Sequence, residues 1–436
     1  MLETDRVPHS VGMGTAAGLM ALLTLLVIAF VVAAAVQARL DNTTGFEGDE
    51  AAHAVWGAAV YLDFAAHDVG AILRHLYAQS YYPPLYSLCQ VPFLAAMGIT
   101  PLAHRLAGLP WAALTCFGVY LCVCWSSPGQ RHGWVGASLA AWMIAGCPML
   151  WFTAVQVYME PLALAALTFS WAFFQRALLT GRRRNAWWAG VLHLVAWYSK
   201  WQFGIFLSTI WVVMFAASRL RKGRRPGMWE LAVPTLLPAW GVVAVWMANP
   251  RKLRDFLMYM TSGPNQFDLL RFFTWGMAEQ ARNLLDRFSG AAIVGVFCGA
   301  ALIWGLMRLR EPRMRLFALS ALLALVLNAW FAIGDRGGPR GAMWLYPPLC
   351  VLLGLAVNEL VGALRSRPGG SAARRGLART AWMVPALLIG GLVNCGLGVL
   401  KTGDRIRTFE YTRTWDALEL IVGHVPPTAR LCTVGC

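Results

Sequence analysis

The chain is a succession of long apolar runs separated by short polar or basic breaks. The runs fall at 13–37, 101–125, 133–152, 159–177, 186–199, 203–218, 229–248, 289–307, 316–333, 342–364 and 380–400. Each is near the roughly 20 residues that cross a bilayer as a helix, or somewhat short of that length. The pattern predicts an all-α polytopic membrane protein of about 11 transmembrane helices. One stretch decides the count. Residues 185–218 are nearly all apolar, with arginines at both ends. As a single helix they would be roughly 51 Å long, far beyond the ~30 Å hydrocarbon core, and would put basic clusters on opposite faces. A hairpin of two short helices avoids both problems, with its tip at Ser199-Lys200-Trp201-Gln202.

Between the first two runs the pattern changes. Asp49-Glu50 opens an apolar stretch interrupted by His53, Tyr61 and Asp63, too polar to span and suited to a helix lying in the membrane interface. A second interfacial helix is predicted from about Val69 to Gln79, and Pro83-Pro84 starts a third that carries Leu85 to Met97 towards the next span, since proline fits a first helical turn. Residues 249–288 alternate charge with aromatics and predict further amphipathic helices, either covering a groove or, more simply, anchoring in the interface.

Composition closes off the soluble classes: 58% hydrophobic residues against 13% charged, with a mean hydropathy of +0.54. A net charge of +16 would suggest nucleic acid in a soluble chain. Here most arginines cluster between apolar runs, at 176–184, 219–225, 308–315 and 365–379. That is the positive-inside pattern, so no nucleic acid partner is implied. With eleven crossings all four clusters face the cytoplasm, the N-terminus is inside and the C-terminus outside. The first run is too long for a signal-peptide core and reads as an anchor. Most cysteines lie inside apolar runs, where a thiol acts as a small hydrophobe. Cys432 and Cys436 could pair locally in an outer tail. Residues 1–400 read as the membrane domain. Residues 401–436 read as a short outer-side tail with a helix from Thr414 and a strand from Ala429, the possible start of a truncated soluble domain.

The polar groups expected on the outer side carry the candidate chemistry. Asp49 and Glu50 begin a helix, where the macrodipole favours carboxylates, so capping is one explanation. His53 follows Asp49 by one turn and shares its face; Asp63 and His67 have the same spacing. Glu160, in Tyr158-Met159-Glu160-Pro161, opens a span at its outer end, and Lys200 caps the hairpin tip. Ionisable groups at a membrane boundary are functional candidates by default, with snorkelling as the plainer account of Lys200, Arg105 and Arg340. His193 and Asn328, inside runs, read as hydrogen-bonding helix contacts.

The Asp49-Glu50 pair, the Tyr82-Pro83-Pro84-Leu85-Tyr86 element and Leu102-Ala103-His104-Arg105-Leu106 resemble the membrane glycosyltransferases of the GT-C fold. The resemblance is to the branch of dolichyl-phosphate-mannose-protein mannosyltransferase relatives, aminoarabinose transferases and Rgt-type lipopolysaccharide-core enzymes. It implies a polyprenyl-phosphate-linked sugar donor, a lipid, glycan or protein acceptor, and transfer with inversion at the outer face of a bacterial inner membrane. It makes Asp49 the catalytic base, with Glu50 beside it and Glu160 as a second acid. Tyr82 stands where members often carry lysine or histidine. Independently of the resemblance, displacement at an anomeric carbon needs a carboxylate for the acceptor hydroxyl and cations for the departing phosphate. Lys200, Arg105, Arg336 and Arg340 are the outer-side cations, and arginine can bind phosphate bidentately. His53, Tyr82, Pro83, Pro84 and Tyr86 would line the substrate groove. No cofactor is required by these residues; a divalent metal is compatible with them, though no ligand spacing indicates one. A multi-pass transporter or flippase for a lipid-linked or small polar substrate is the rival reading; it leaves the clustering of charge at span ends unexplained.

Overall fold

Helices meet every predicted apolar run. The computed structural model describes residues 15–41, 46, 48–79, 82–127, 130, 132–219, 228–261, 269–332, 340, 342–365 and 382–408. In chain order the helices are α1 (Thr15–Leu40), α2 (Gly48–Ala65), α3 (Val69–Ala78), α4 (Leu85–Met97), α5 (Pro101–Leu106), α6 (Leu109–Ser126), α7 (Gly133–Ala145) and α8 (Pro148–Ala154). They continue with α9 (Glu160–Thr180), α10 (Arg183–Ser199), α11 (Trp201–Arg219), α12 (Met228–Met247), α13 (Pro250–Thr261), α14 (Leu269–Arg271) and α15 (Met277–Arg282). The last four are α16 (Ala292–Met307), α17 (Pro312–Ala332), α18 (Tyr346–Arg365) and α19 (Met383–Thr408). Among the described residues, seven segments are long and apolar enough to cross a membrane, or eight if the bent pair α7 and α8 is one span. Each of the eleven expected runs has its helix, and the hairpin helices α10 and α11 are short as expected, but with α16 also short a total of eleven crossings is not shown.

Local chemistry sets the boundaries. The 60° bend between α7 and α8 falls at Cys147-Pro148, where proline has no N–H to donate and pushes the preceding residue out of helical geometry. Pro161 sits in the first turn of α9, where its missing N–H costs nothing, and Gly181 ends that helix in the left-handed region with φ +68°. The hairpin tip is where the sequence puts it, with Lys200 extended between α10 and α11.

In the bundle, α7 is buried along almost its whole length and α9 and α18 have 72% and 67% of their apolar windows buried, while α1 and α19 are mostly unburied, at 22%. Burial alone gives little preference between helix–helix and helix–lipid contact, so polar groups and close backbones fix the packing. Asn358 accepts from the Gly136 N–H (2.8 Å) and donates to the Gly133 carbonyl (2.9 Å), joining α18 to α7. Asn394 donates to the Met143 carbonyl and accepts from the Ala291 N–H, joining α19 to α7 and the start of α16. His193 and Asn328 are helix contacts of the same kind, to Ser208 and to the Ala342 carbonyl. At Gly136 an added Cβ would lie 1.9 Å from the Gly354 carbonyl oxygen. Gly136→Ala therefore has to push α7 and α18 apart. We expect a stability loss at the upper end of the roughly 1–3 kcal/mol of overpacking, read as a fall in thermal midpoint in detergent. An unchanged midpoint would contradict this packing.

The three expected interfacial helices are α2, α3 and α4. α2 lies along α4, and Phe46, Ala51, Ala54 and Tyr86 pack with Val157, Met159 and Leu162, fastening the layer to the start of α9. Asp63 does not pair with His67; it pairs with His75 of α3, and His67 turns the chain at φ +56°. The described parts of the 249–288 segment are helical, at Pro250–Thr261 and from Leu269 onward, widening to π geometry at Phe272–Gly276 and Asn283–Arg287. Its Lys252 donates to the Tyr77 and Gln79 carbonyls and lies over the Tyr77 and Trp246 rings. The last helix runs on past the expected end at 400 to Thr408. The helix and strand expected further along the tail, and Cys432 and Cys436, lie outside the described residues.

Candidate active site

Asp49 and Glu50 are neighbours on one helix, and neighbours on a helix point about 100° apart. That angle separates their roles. Asp49 turns towards a cleft of about 160 Å³ and keeps 38% of its side chain exposed. Glu50 turns into the protein, wholly buried. There it pairs with the equally buried Arg105 of α5 (3.2 Å), and its Oε1 also accepts from the Val157 N–H (3.0 Å). Arg105 additionally stacks on Phe46. The expectation that Glu50 and Arg105 act on substrate is thus corrected in placement: they face each other, away from the cleft, and tie α2, α5 and the segment leading into α9 together.

Four charged groups meet in the cleft from distant parts of the chain. Glu160 enters at the start of α9, Lys200 from the hairpin tip, and Arg340 from the segment between α17 and α18. Arg340 binds Asp49 Oδ2 at 2.6 Å and, through Nε, Glu160 Oε1 at 3.2 Å. Lys200 Nζ lies 2.5 Å from the same Glu160 oxygen. Tyr82 donates to Asp49 Oδ1 at 2.9 Å, so the tyrosine standing in place of the lysine or histidine common in the resembled proteins holds the carboxylate. Burial pushes the Asp49 carboxyl up, but the Arg340 guanidinium and the Tyr82 hydroxyl outweigh it and leave the group below its ordinary value. Burial works against the Arg340 charge, yet Glu160, Tyr158 and Asp49 raise its affinity for the proton above the ordinary value. Asp49 is therefore an anion and Arg340 a cation across the neutral range.

The walls are aromatic: Tyr82, Tyr158 beneath the Arg340 guanidinium at 4.2 Å, and Trp201. His53 lies one turn from Asp49 on α2, as the spacing predicts, and its ring meets Tyr82 edge to face with centroids 4.4 Å apart. Burial brings its pKa down to about 4, so it is neutral. Of the other expected groove residues, Pro83 lines the cleft. Pro84 caps α4, and Tyr86 is buried beside His53. Arg336 lies outside the described residues. Tyr158, Met159, Trp201 and Gln202 also line the cleft and were not read as site residues. Their only sequence signal is adjacency to Glu160 and Lys200. Among the described residues, none of the 249–288 segment lines this cleft. No group of three histidine, cysteine or carboxylate side chains is placed to hold a metal ion among those residues.

No protein-family model matches the chain, and no curated protein matches it. Solved structures do. The chain is similar to ArnT from Cupriavidus metallidurans bound to undecaprenyl phosphate, with a TM-score of 0.56 and 14% identity over 90% of this chain and 76% of that one. It is similar to the Archaeoglobus fulgidus oligosaccharyltransferase in the apo form, with a TM-score of 0.58 and 12% identity over 93% of this chain and 58% of that one. AglB from the same organism, in complex with an inhibitory peptide and a dolichol-phosphate, matches with a TM-score of 0.57 and 12% identity, again over 93% and 58%. The chain thus spans little more than half the length of the oligosaccharyltransferase. These likenesses show the fold: the chain is an integral membrane protein with the GT-C architecture.

Proposed function

We propose that this GT-C membrane protein is an inverting glycosyltransferase that moves a sugar from a polyprenyl-phosphate donor to a lipid, glycan or protein acceptor at the outer membrane face. The observation that carries the reading is the convergence of Asp49, Arg340, Glu160 and Lys200 on one aromatic-walled cleft. The acceptor hydroxyl attacks the anomeric carbon from the side of Asp49, which takes its proton; the new oxygen–carbon bond forms as the bond from that carbon to the phosphate oxygen breaks. The electron pair leaves with the phosphate, and Arg340 and Lys200 stabilise the charge that develops there. Glu160 holds both cations in place. The names of similar structures support the donor class, since one holds undecaprenyl phosphate and another a dolichol-phosphate. The cleft also lies at the opposite end of α9 and α10 from Arg182, Arg183 and Arg184, in keeping with an outward-facing site under the charge rule.

The test is twofold. In cells lacking the chain, mass spectrometry of lipid-linked sugars and envelope glycans should show one donor accumulating and one product missing. In lipid nanodiscs the purified protein should complete that transfer, and Arg340→Met should raise the KM for donor about 10–100-fold, the equivalent of roughly 1.5–3 kcal/mol for a charge-assisted hydrogen bond. Uptake of a solute into sealed proteoliposomes with no covalent product would replace this reading with a transporter.

A further inference from the structure

His53 and Gln202 are the polar side chains lining the cleft that the charged network leaves aside, and His53 is the one seated a turn from Asp49 on α2. Its residue is only 5% exposed, yet its ring lines the cleft, and no group among the described residues hydrogen-bonds to a ring nitrogen. Asp49 holds Arg340 and Tyr82, Glu160 holds Lys200 and Arg340, and Gln90 bonds the His53 backbone carbonyl rather than its ring. The neighbouring Tyr82 and Tyr86 rings meet the imidazole through edge contacts that fix its plane. Its ring nitrogens face the cleft, where water can satisfy them, so a ligand that fills the cleft must replace those bonds or leave a desolvated polar group unpaired. A neutral imidazole offers one donor and one acceptor. Its natural complement is a hydroxyl group, which also donates and accepts. The charge it lacks matters equally, because a cation one turn from Asp49 would compete with Arg340 for that carboxylate.

We infer that His53 is a specificity-determining residue that reads a sugar-type hydroxyl in the cleft, by pairing donor and acceptor with its uncharged ring. This rests on the transferase reading and adds to it: the phosphate end of the donor is held by Lys200 and Arg340, while His53 addresses the carbohydrate. The hydroxyl can belong to the sugar being transferred or to the acceptor, and the aromatic walls on either side suit a pyranose or furanose face in both cases.

The experiment compares wild type with His53→Phe, His53→Asn and His53→Gln in nanodiscs. Phe keeps the ring volume and removes both hydrogen-bonding atoms; the amides restore a donor and an acceptor. Affinities are measured for bare undecaprenyl phosphate and for the same lipid carrying glucose, mannose or arabinose, and transfer is measured onto envelope membranes from cells lacking the chain. Bare-lipid affinity should stay within about twofold in all variants, since the phosphate contacts are elsewhere. His53→Phe should lower kcat/KM for transfer by 10-fold or more, with one amide variant recovering most of it. If wild type prefers a sugar-loaded lipid over the bare one and His53→Phe erases that preference, the hydroxyl is on the donor. If that preference persists while the KM for membrane acceptor rises, it is on the acceptor. His53→Phe with wild-type transfer overturns the inference. Equal loss of bare-lipid and sugar-lipid binding, without rescue by either amide, also overturns it, since the ring would then only support the cleft. A wild-type protein that transfers nothing onto any acceptor would instead tell against the transferase reading.

Discussion

Asp49→Asn should abolish sugar transfer while leaving a folded, membrane-inserted protein that still binds undecaprenyl phosphate. Asparagine keeps the shape and the bond from Tyr82, and Arg340 retains Glu160 as a partner, so the cleft should survive the change. What disappears is the anion that receives the acceptor's proton. General-base removal costs on the order of 10²–10⁴ in rate, and the loss should appear in kcat rather than in donor binding. The pH profile gives a second check. The base must be ionised to work, and its carboxyl is held below the ordinary value, so the activity carried by Asp49 is present at neutral pH and disappears only in acid, below the usual carboxylate range. The His53 ring, with a pKa of about 4, is neutral at neutral pH but takes up its proton on acidification before Asp49 does, so it contributes to the same acid limb. An Asp49→Asn protein with full turnover would remove the carboxylate from the mechanism.

The second large effect is on stability. Glu50→Ala leaves the Arg105 guanidinium buried without its carboxylate, and breaking a buried pair by removing one partner costs about 3–5 kcal/mol. The Val157 N–H loses its acceptor as well, and Val157 lies three residues before Glu160. We therefore expect a marked fall in thermal midpoint together with reduced transfer. The double variant Glu50→Leu with Arg105→Met should regain much of the midpoint, because an apolar pair of similar volume avoids the desolvation of both charges. It should not regain full transfer, since the segment leading to Glu160 remains untethered. A single Glu50→Ala variant as stable as wild type would show that the pair contributes nothing to holding α2 against α5.

The helical architecture was legible because apolar runs and their breaks are local signals. Arithmetic on residues 185–218 was enough to place the hairpin tip at Lys200, and the polar interruptions after Asp49 were enough to separate interfacial helices from spans. Length was less legible, since an apolar run does not say where its helix starts and stops; α16 begins only at Ala292 within the 289–307 run, and α19 continues past 400 to Thr408. The charged residues show the other limit. Arg105 and Arg340 look alike in sequence, each a cation near an expected outer surface. Their difference lies in partners 55 and 291 positions away, which only the fold brings near. Pattern could nominate Asp49, Glu160, Lys200 and Arg340 singly, but not their convergence on one cleft. It could not reveal that Glu50, one residue from Asp49, belongs to the scaffold.

The hairpin that presents Lys200 is built from helices of 17 and 19 residues, roughly 25 and 28 Å long against a ~30 Å hydrocarbon core. A hydrophobic segment shorter than its surroundings draws the lipid in around it, thinning the bilayer locally. A bilayer around this protein is therefore expected to thin slightly beside α10 and α11. On the transferase reading proposed above, that thinning would bring a lipid phosphate arriving by lateral diffusion closer to the depth of the Lys200 ammonium without its leaving the leaflet.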